Sequence, residues 1–172
     1  YRYDPVLGWF PRANSKTVYT GSRTIRAEHN SQGFRDIEHS GNTDPAIMFI
    51  GDSFVWGYDA EQSERFTELL RPMIPGWSIL NLGVSGYGTD QEYLLLEKVF
   101  DQYNPEIVFL VFCTDNDEED NSSNQRYRGY YKPYFAFNEN RFEVRGIPVP
   151  KSENYYLTEH RTLARSYLYR LL

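Results

Sequence analysis

The chain has 172 residues, 40% of them hydrophobic and 24% charged, so its length and composition suit a single globular domain. Its formal net charge of −6 gives no electrostatic basis for binding nucleic acid or an anionic membrane. A single cysteine excludes an internal disulfide, and no apolar run approaches the roughly 20 residues that span a bilayer.

The first 45 residues form an irregular segment, which is expected to wrap the outside of an α/β domain spanning residues 46–172. Prolines and glycines interrupt the segment repeatedly, as is typical of loops. Two short strands are expected within it, at Val18–Thr20 and Thr24–Arg26, on either side of a turn at Gly21.

The central stretch of the chain is Ile47–Ile50, an unbroken apolar run that is typical of a strand buried on both faces of a parallel sheet. Gly51 permits a sharp turn, so Asp52 and Ser53 stand where the strand ends and a helix begins. Ligands bind beyond the carboxyl ends of strands in open α/β sheets, which makes Ser53 a candidate nucleophile. The alternative is that Asp52 or Ser53 only caps the helix.

Two further apolar strands end in turns of the same kind. The run Trp77–Leu82 leads into the glycine-rich stretch Gly83–Gln91, and Ile107–Phe112 leads into Cys113–Asp117. Three strands that each end in a Gly-rich or Asn/Asp-rich turn would place polar groups at one edge of a parallel sheet.

Helices are predicted between these strands, at Ser63–Leu70 and at about Gln91–Tyr103, with Thr89 or Asp90 capping the second. Apolar residues at helical spacing are expected to face the sheet. In the first helix these are Phe66, Leu69 and Leu70; in the second, Tyr93, Leu94, Leu96, Val99 and Phe100. Alternating strands and helices imply right-handed crossovers, with the strands in the order second, first, third.

The strand Ile107–Phe112 is apolar at every position, so it is expected to have a neighbour on each side. Only Ile47–Ile50 is available as a parallel neighbour, which leaves the sheet incomplete on its C-terminal side. We therefore expect the far edge to be covered by further C-terminal sequence or, through self-association, by a second copy of the chain. A hairpin around Asn138 is the less favoured local substitute.

Residues 113–155 form an acidic and aromatic insertion, and an amphipathic helix is predicted over 155–172. The carboxylates from Asp115 to Asp120 favour a solvated turn over a calcium site, because an EF-hand loop needs a glycine where Asp120 stands. A hairpin is predicted across Asn138–Asn140. Aromatic side chains in the insertion could stack on a sugar ring, although packing is favoured. They are Tyr127, Tyr130, Tyr131, Tyr134, Phe135 and Phe137.

The ordered set Gly51-Asp52-Ser53, Ser85-Gly86-Tyr87-Gly88 and Asn116-Asp117 resembles the first three sequence blocks of the SGNH (GDSL-type) hydrolases. The flanking stretches Asn30–Asp36 and Gly83–Gln91 resemble one bacterial branch of that family, and the resemblance covers about residues 7–172. It implies a three-layer, flavodoxin-like parallel sheet. It also implies hydrolysis or transfer of an O-acyl ester, with an acetylated carbohydrate as the favoured substrate, and no metal or organic cofactor.

The resemblance also assigns roles to residues. Ser53 would be the nucleophile, and the oxyanion hole would combine the backbone N–H groups of Ser53 and Gly86 with the side chain of Asn116. A glycine suits the second position because the backbone itself must approach the substrate. Asn116 could instead be a turn residue that holds its loop. The supporting residues are Asp52, Asn81 and Asp117.

The chain departs from the family at the fourth block, an Asp-x-x-His motif that should follow further strands. His160 has Leu157 three positions before it and is interpreted as a surface histidine. The pair Asp36 and His39 has the right spacing but precedes the serine, so it is interpreted as part of a solvated loop. The chain is therefore expected to be either the front part of a longer enzyme, inactive alone, or a non-catalytic relative that binds a glycan or a protein.

Overall fold

The computed structural model describes residues 1–39, 45–127, 129–153 and 155–156. Nearly all of the predicted C-terminal helix, including His160, lies outside these ranges. The described part is a mixed α/β structure with one three-stranded parallel sheet and several two-stranded antiparallel sheets. Within it, no helix is long and apolar enough to cross a membrane.

The N-terminal segment is more regular than predicted. β1 (Arg2–Asp4) pairs with β2 (Gly8–Phe10), and β3 (Lys16–Thr20) pairs with β4 (Thr24–Glu28), both antiparallel. The second pair confirms the two strands predicted around Gly21. The segment also does more than wrap the outside, because Leu7, Trp9, Phe10 and Phe34 are buried in the main hydrophobic core with residues of the parallel sheet.

The parallel sheet has the predicted strand order. β5 (Ala46–Gly51) lies between β6 (Ser78–Asn81) and β7 (Ile107–Val111). All six residues of β5 are buried, as its unbroken apolar run indicates. Met48 and Ile50 point into the main core, whereas Ile47 and Phe49 point into a second core on the opposite face.

The first two helices follow β5. They are α1 (Ser53–Trp56) and α2 (Phe66–Leu70), and single 3₁₀ turns flank α2 at Gln62–Glu64 and Arg71–Met73. The helix predicted over Ser63–Leu70 is thus divided, because the backbone of Arg65 is extended, with φ −68° and ψ 143°. Leu70 packs on the second core as predicted, but Leu69 is exposed and Thr67 is buried in its place.

The helix α3 (Thr89–Tyr103) connects β6 to β7 and packs on the sheet. It begins directly after Gly88, so Thr89 and Asp90 lie in its first turn instead of capping it. Leu94 and Val99 are buried as predicted, whereas Tyr93 and Phe100 are about half exposed. The helix ends at Asn104, which has a left-handed backbone conformation.

The acidic insertion is folded and partly buried. The predicted solvated turn is wrong at this point: α4 (Asp117–Asn121) forms there, and the side chains of Asp117 and Asp120 are buried. Further along, β8 (Gln125–Arg126) pairs with β9 (Tyr130–Tyr131). Fully buried Lys132 then forms an ion pair with Asp90, which ties the insertion to the start of α3.

The last described strands confirm the predicted hairpin. β10 (Tyr134–Asn138) pairs with β11 (Arg141–Arg145) around a turn in which Glu139 and Asn140 both have positive φ. The two strands form a sheet of their own, so the hairpin does not extend the parallel sheet.

Strand β7 is an edge strand in the part of the chain that the structure describes. It pairs with β5 on one side, and no described strand pairs with its other side. The side chains of Phe109, Leu110 and Phe112 are about half exposed. This differs from the expected central position, and the occupation of the free edge by a second copy stays a prediction.

Candidate active site

Ser53 stands at the carboxyl end of the central strand, as the sequence predicts. Asp52 caps α1 by accepting a hydrogen bond of 2.8 Å from the N–H of Phe54. The Ser53 hydroxyl donates to the second carboxylate oxygen of Asp52 at 3.4 Å. The capping alternative therefore holds for Asp52, and the serine hydroxyl remains at the strand end beside a buried carboxylate.

The loop after β6 packs directly on the loop that carries Ser53. The N–H of Val84 donates to the carbonyl of Gly51 at 3.0 Å, and a side chain at Gly83 would collide with the backbone of α1. Asn81, fully buried, fixes both segments: its Nδ2 donates to the carbonyl of Val55 at 2.8 Å, and its Oδ1 accepts from Gly83 at 3.2 Å. Asn81 thus holds α1 against the second loop.

Gly86 has φ +83°, a conformation that other residues rarely adopt. A methyl group at this position would lie 2.9 Å from Cε2 of Tyr127, so the tyrosine ring lies directly against the glycine. An aromatic side chain from the insertion therefore fills the space beside Cα of Gly86, next to the point where the resemblance places an oxyanion donor.

Asn116 immediately precedes α4, in the loop that follows β7. Its side-chain Nδ2 donates to Asp120 at 2.8 Å and to Asp117 at 3.2 Å, so its amide hydrogens are engaged by carboxylates. Asp117 also accepts a hydrogen bond of 2.7 Å from the N–H of Cys113. Asn116 and Asp117 thus brace this loop, which is the turn role that the sequence left open for Asn116.

The three loops lie side by side at the carboxyl edge of the sheet. Gly51 pairs with Val111 in the strand register, which brings the first and third loops together. A side chain at Gly88 would meet Asn121 of α4 at 3.0 Å, which joins the second and third loops. The structure therefore gathers the loops of all three sequence blocks at one place.

Glu92 is a site residue that the sequence did not suggest. It lies in α3, is fully buried, and neither of its carboxylate oxygens has a hydrogen-bond partner among the described residues. Burial, followed by the negative charges of Asp117 and Asp52, raises the pKa of Glu92 to about 9. The carboxyl group of Glu92 therefore holds its proton to a higher pH than an ordinary glutamate, and the charges of Asp52 and Asp117 in the candidate site contribute to this.

Asp117 is affected in the same direction. Burial is the main cause, and the nearby charges of Asp52 and Asp120 add to it, so the pKa of Asp117 rises to about 6. Among the described residues, no group of three potential ligands is arranged to hold a metal ion.

The described histidines are occupied away from Ser53. His29 accepts a hydrogen bond of 3.3 Å from the indole N–H of Trp56, and its other ring nitrogen lies 3.2 Å from the Ser15 hydroxyl. His39 contacts Asp36, with 2.7 Å between Nε2 and Oδ2. Within the described residues, the hydroxyl of Ser53 therefore contacts a carboxylate and not an imidazole.

The interpretation of Asp36 and His39 as a solvated loop is wrong. Both side chains are buried, and Asp36 also accepts a hydrogen bond of 2.8 Å from the backbone N–H of Asn81. Arg71 forms an ion pair with the same carboxylate. A buried carboxylate requires several hydrogen-bond donors, and Asp36 finds one of them in the backbone of Asn81. Asp36 thus links the N-terminal segment to the end of β6.

Arg35 connects the stretch Asn30–Asp36 to the helix that Ser53 begins. Its buried guanidinium donates to the carbonyls of Gly57 and Ala60, both at 2.7 Å, which lie just after α1. The only sequence signal for this residue was the resemblance of its flanking motif. Glu92 gave no sequence signal, and Tyr127 appeared only as one of six aromatic residues for which packing was favoured over stacking on a sugar ring.

No model of a protein family matches the chain, and a comparison with curated proteins finds no match either.

Proposed function

We propose that the protein is a serine esterase of the SGNH (GDSL-type) kind, with a flavodoxin-like fold, which hydrolyses or transfers an O-acyl group. An acetylated carbohydrate is the favoured substrate, and no cofactor is required. The supporting observation is the position of Ser53 at the end of the buried central strand, with the Gly83–Gly88 loop packed against its helix.

In the proposed reaction, Ser53 Oγ forms a bond to the acyl carbon as the carbonyl double bond opens to an oxyanion. When the carbonyl re-forms, the bond from that carbon to the alcohol oxygen breaks. The serine proton passes to a base and then to the departing alcohol, and water subsequently releases the acyl group as a carboxylic acid. The backbone N–H groups of Ser53 and Gly86 would stabilise the oxyanion. Asn116 would join them by exchanging one of its carboxylate contacts for the substrate oxygen.

The test is hydrolysis of p-nitrophenyl acetate by the 172-residue chain, with and without added imidazole. We expect slow hydrolysis without imidazole, because loss of a triad member costs several powers of ten in rate. Imidazole can serve as the base, so it should increase hydrolysis more for the wild type than for Ser53→Ala. Ser63→Ala, at an exposed serine in the turn before α2, is the matched control.

Rapid Ser53-dependent hydrolysis without imidazole would support the esterase and would contradict only the expectation that the chain lacks a base. Equal rates for the wild type and Ser53→Ala at every imidazole concentration would remove the case for an esterase.

A second candidate function is binding without turnover, as in a non-catalytic relative that holds a glycan or a protein. The hydrogen bonds of Asn116 to Asp117 and Asp120 favour it, because they occupy the side chain that an oxyanion would need. Glycan binding that persists in Ser53→Ala, together with no Ser53-dependent hydrolysis, would distinguish this function from the first.

A further inference from the structure

Tyr127 occupies an unusual position for an aromatic residue. It stands at the turn between β8 and β9, with a backbone φ of +50°, which is an uncommon conformation for a bulky side chain. Its side chain leads back to the second loop of the candidate site, where Cε2 and the hydroxyl oxygen lie 2.9 and 3.1 Å from the position of a methyl group on Gly86. A strained backbone is thus maintained where it brings a ring against the candidate site.

The ring is held by contacts that lead to the third loop. The guanidinium of Arg126 lies 4.6 Å from the centre of the Tyr127 ring, in a cation–π arrangement. Arg126 forms an ion pair with Asp120, which also accepts the hydrogen bond from Asn116. Tyr127 is therefore connected to both loops that the proposed oxyanion hole uses.

This ring does not serve the hydrophobic core. Tyr127 is 61% exposed, whereas Tyr130 and Phe135 of the same insertion pack against the main core. The packing interpretation of the insertion's aromatic residues thus holds for those two and fails for Tyr127. An aromatic ring that is fixed in position but open to solvent offers a flat apolar surface to a ligand.

The surrounding charge limits the kind of ligand. The net charge is −6, and the adjacent helix α4 consists of Asp117, Glu118, Glu119, Asp120 and Asn121. The nearby cation Arg126 is already paired with Asp120, so an anionic ligand would meet an excess of negative charge and be repelled. A neutral ring with C–H groups on its face would not be repelled. A pyranose ring and an aryl ring share this chemistry.

We propose that Tyr127 forms the wall of the candidate site that contacts a neutral ring on the alcohol side of the ester. The inference rests on the proposed function for the location of the site, and it assigns Tyr127 a role in substrate selection, not in bond making. The ring stacks on the alcohol part of the substrate while the ester carbonyl lies at Ser53 and Gly86.

The experiment measures ligand affinity by NMR titration in the Ser53→Ala background, so that turnover does not interfere. The ligands are a triacetylated methyl xyloside, which carries a pyranose ring, and phenyl acetate, which carries an aryl ring. Tyr127→Ala should weaken binding of at least one of them about tenfold, and Tyr127→Phe should bind within about threefold of its parent. The ligand that loses more affinity identifies the ring that the site prefers.

Tyr93→Ala is the matched control, because Tyr93 is 47% exposed and its ring packs on Phe135 of the β10–β11 hairpin. Its affinities should equal those of the parent. Thermal melting of each variant checks the fold, which should tolerate the loss of an exposed ring.

Three results would overturn the inference: equal affinity in Tyr127→Ala and its parent, equal losses in Tyr127→Phe and Tyr127→Ala, or no binding of either ligand by the parent. Failure of the proposed function would be seen differently, as hydrolysis that does not depend on Ser53. Weaker ligand binding by Tyr127→Ala, together with no Ser53-dependent hydrolysis, would support the contact between Tyr127 and the ligand ring and would contradict the proposed esterase function.

Discussion

The guanidinium of Arg35 lies 4.6 Å from the centre of the Trp56 ring, and the same group donates hydrogen bonds to the carbonyls that follow α1. Trp56 is the last residue of that helix, which Ser53 begins. A residue from the N-terminal segment therefore fixes the helix of the candidate nucleophile from its far end. The cation–π contact and the hydrogen bonds act together because the guanidinium is planar.

The first prediction concerns this contact. Arg35→Lys should lower the free energy of unfolding by about 2–4 kcal/mol, because an ammonium group cannot reach the same set of carbonyls and leaves buried acceptors unpaired. Urea denaturation measures the loss. Arg23→Lys, at an exposed residue paired with Glu64, should change the stability by less than about 0.5 kcal/mol. Equal effects of the two substitutions would contradict the prediction.

The second prediction concerns Glu92, whose pKa is raised to about 9 chiefly by burial. Its unfolded pKa is near 4.5, so the folded state binds the proton more tightly and stability falls as pH rises between these two values. The slope should reach about 1.4 kcal/mol per pH unit. The glutamine in Glu92→Gln does not titrate, so the variant should lose this slope. Its free energy of unfolding should exceed that of the wild type by the largest margin near pH 9.

Urea denaturation at several pH values measures the effect of Glu92. The control is Glu97→Gln on the same helix, because Glu97 accepts a hydrogen bond from Tyr93 in an exposed pair. A wild-type profile that Glu92→Gln leaves unchanged would show that the buried carboxyl group is not the source of the slope.

The third prediction concerns acid stability and has the opposite sign. Burial, with smaller contributions from nearby positive charges, lowers the pKa of His29 to about 4 from its ordinary value near 6.5. The stability contributed by the neutral ring is complete above pH 6.5 and is lost as the pH falls towards 4. His29→Gln keeps an acceptor for Trp56 without titrating, so thermal melting should show a flatter profile in this range. A decline as steep as that of the wild type would contradict the assignment.

The fourth prediction concerns the free edge of β7. An apolar edge strand with unpaired backbone groups tends to pair with another chain, and Leu110 on this strand is 50% exposed. We therefore expect concentration-dependent self-association in sedimentation experiments. Leu110→Lys should suppress it, because a charge on the edge opposes strand pairing.

Val18→Lys is the control for this experiment, since Val18 is an exposed strand residue of the separate β3–β4 sheet. It should associate as the wild type does. A wild-type chain that stays monomeric up to about 100 µM, a concentration at which exposed edges commonly associate, would contradict the prediction.

The sequence by itself determined the strands of the parallel sheet and their order. The runs around Ile47 and Ile107 are apolar without interruption, the run around Ile79 contains polar Ser78 and Asn81, and each run ends in residues that favour a turn. These are local properties, because they depend only on residues that are neighbours in the sequence. They also placed Ser53 at a strand end, because the turn follows the run directly.

Only the tertiary structure decided which distant residues complete the site. Asp36 binds the backbone of Asn81, 45 positions later, and Tyr127 lies against Gly86, 41 positions earlier. Glu92 is a buried acid because α3 packs on the sheet, where the charges of Asp52 and Asp117 also raise its pKa. Such contacts depend on how the elements pack in space, so neither the spacing of hydrophobic residues nor the composition of turns encodes them. The interpretation of Asp36 as solvated failed for that reason.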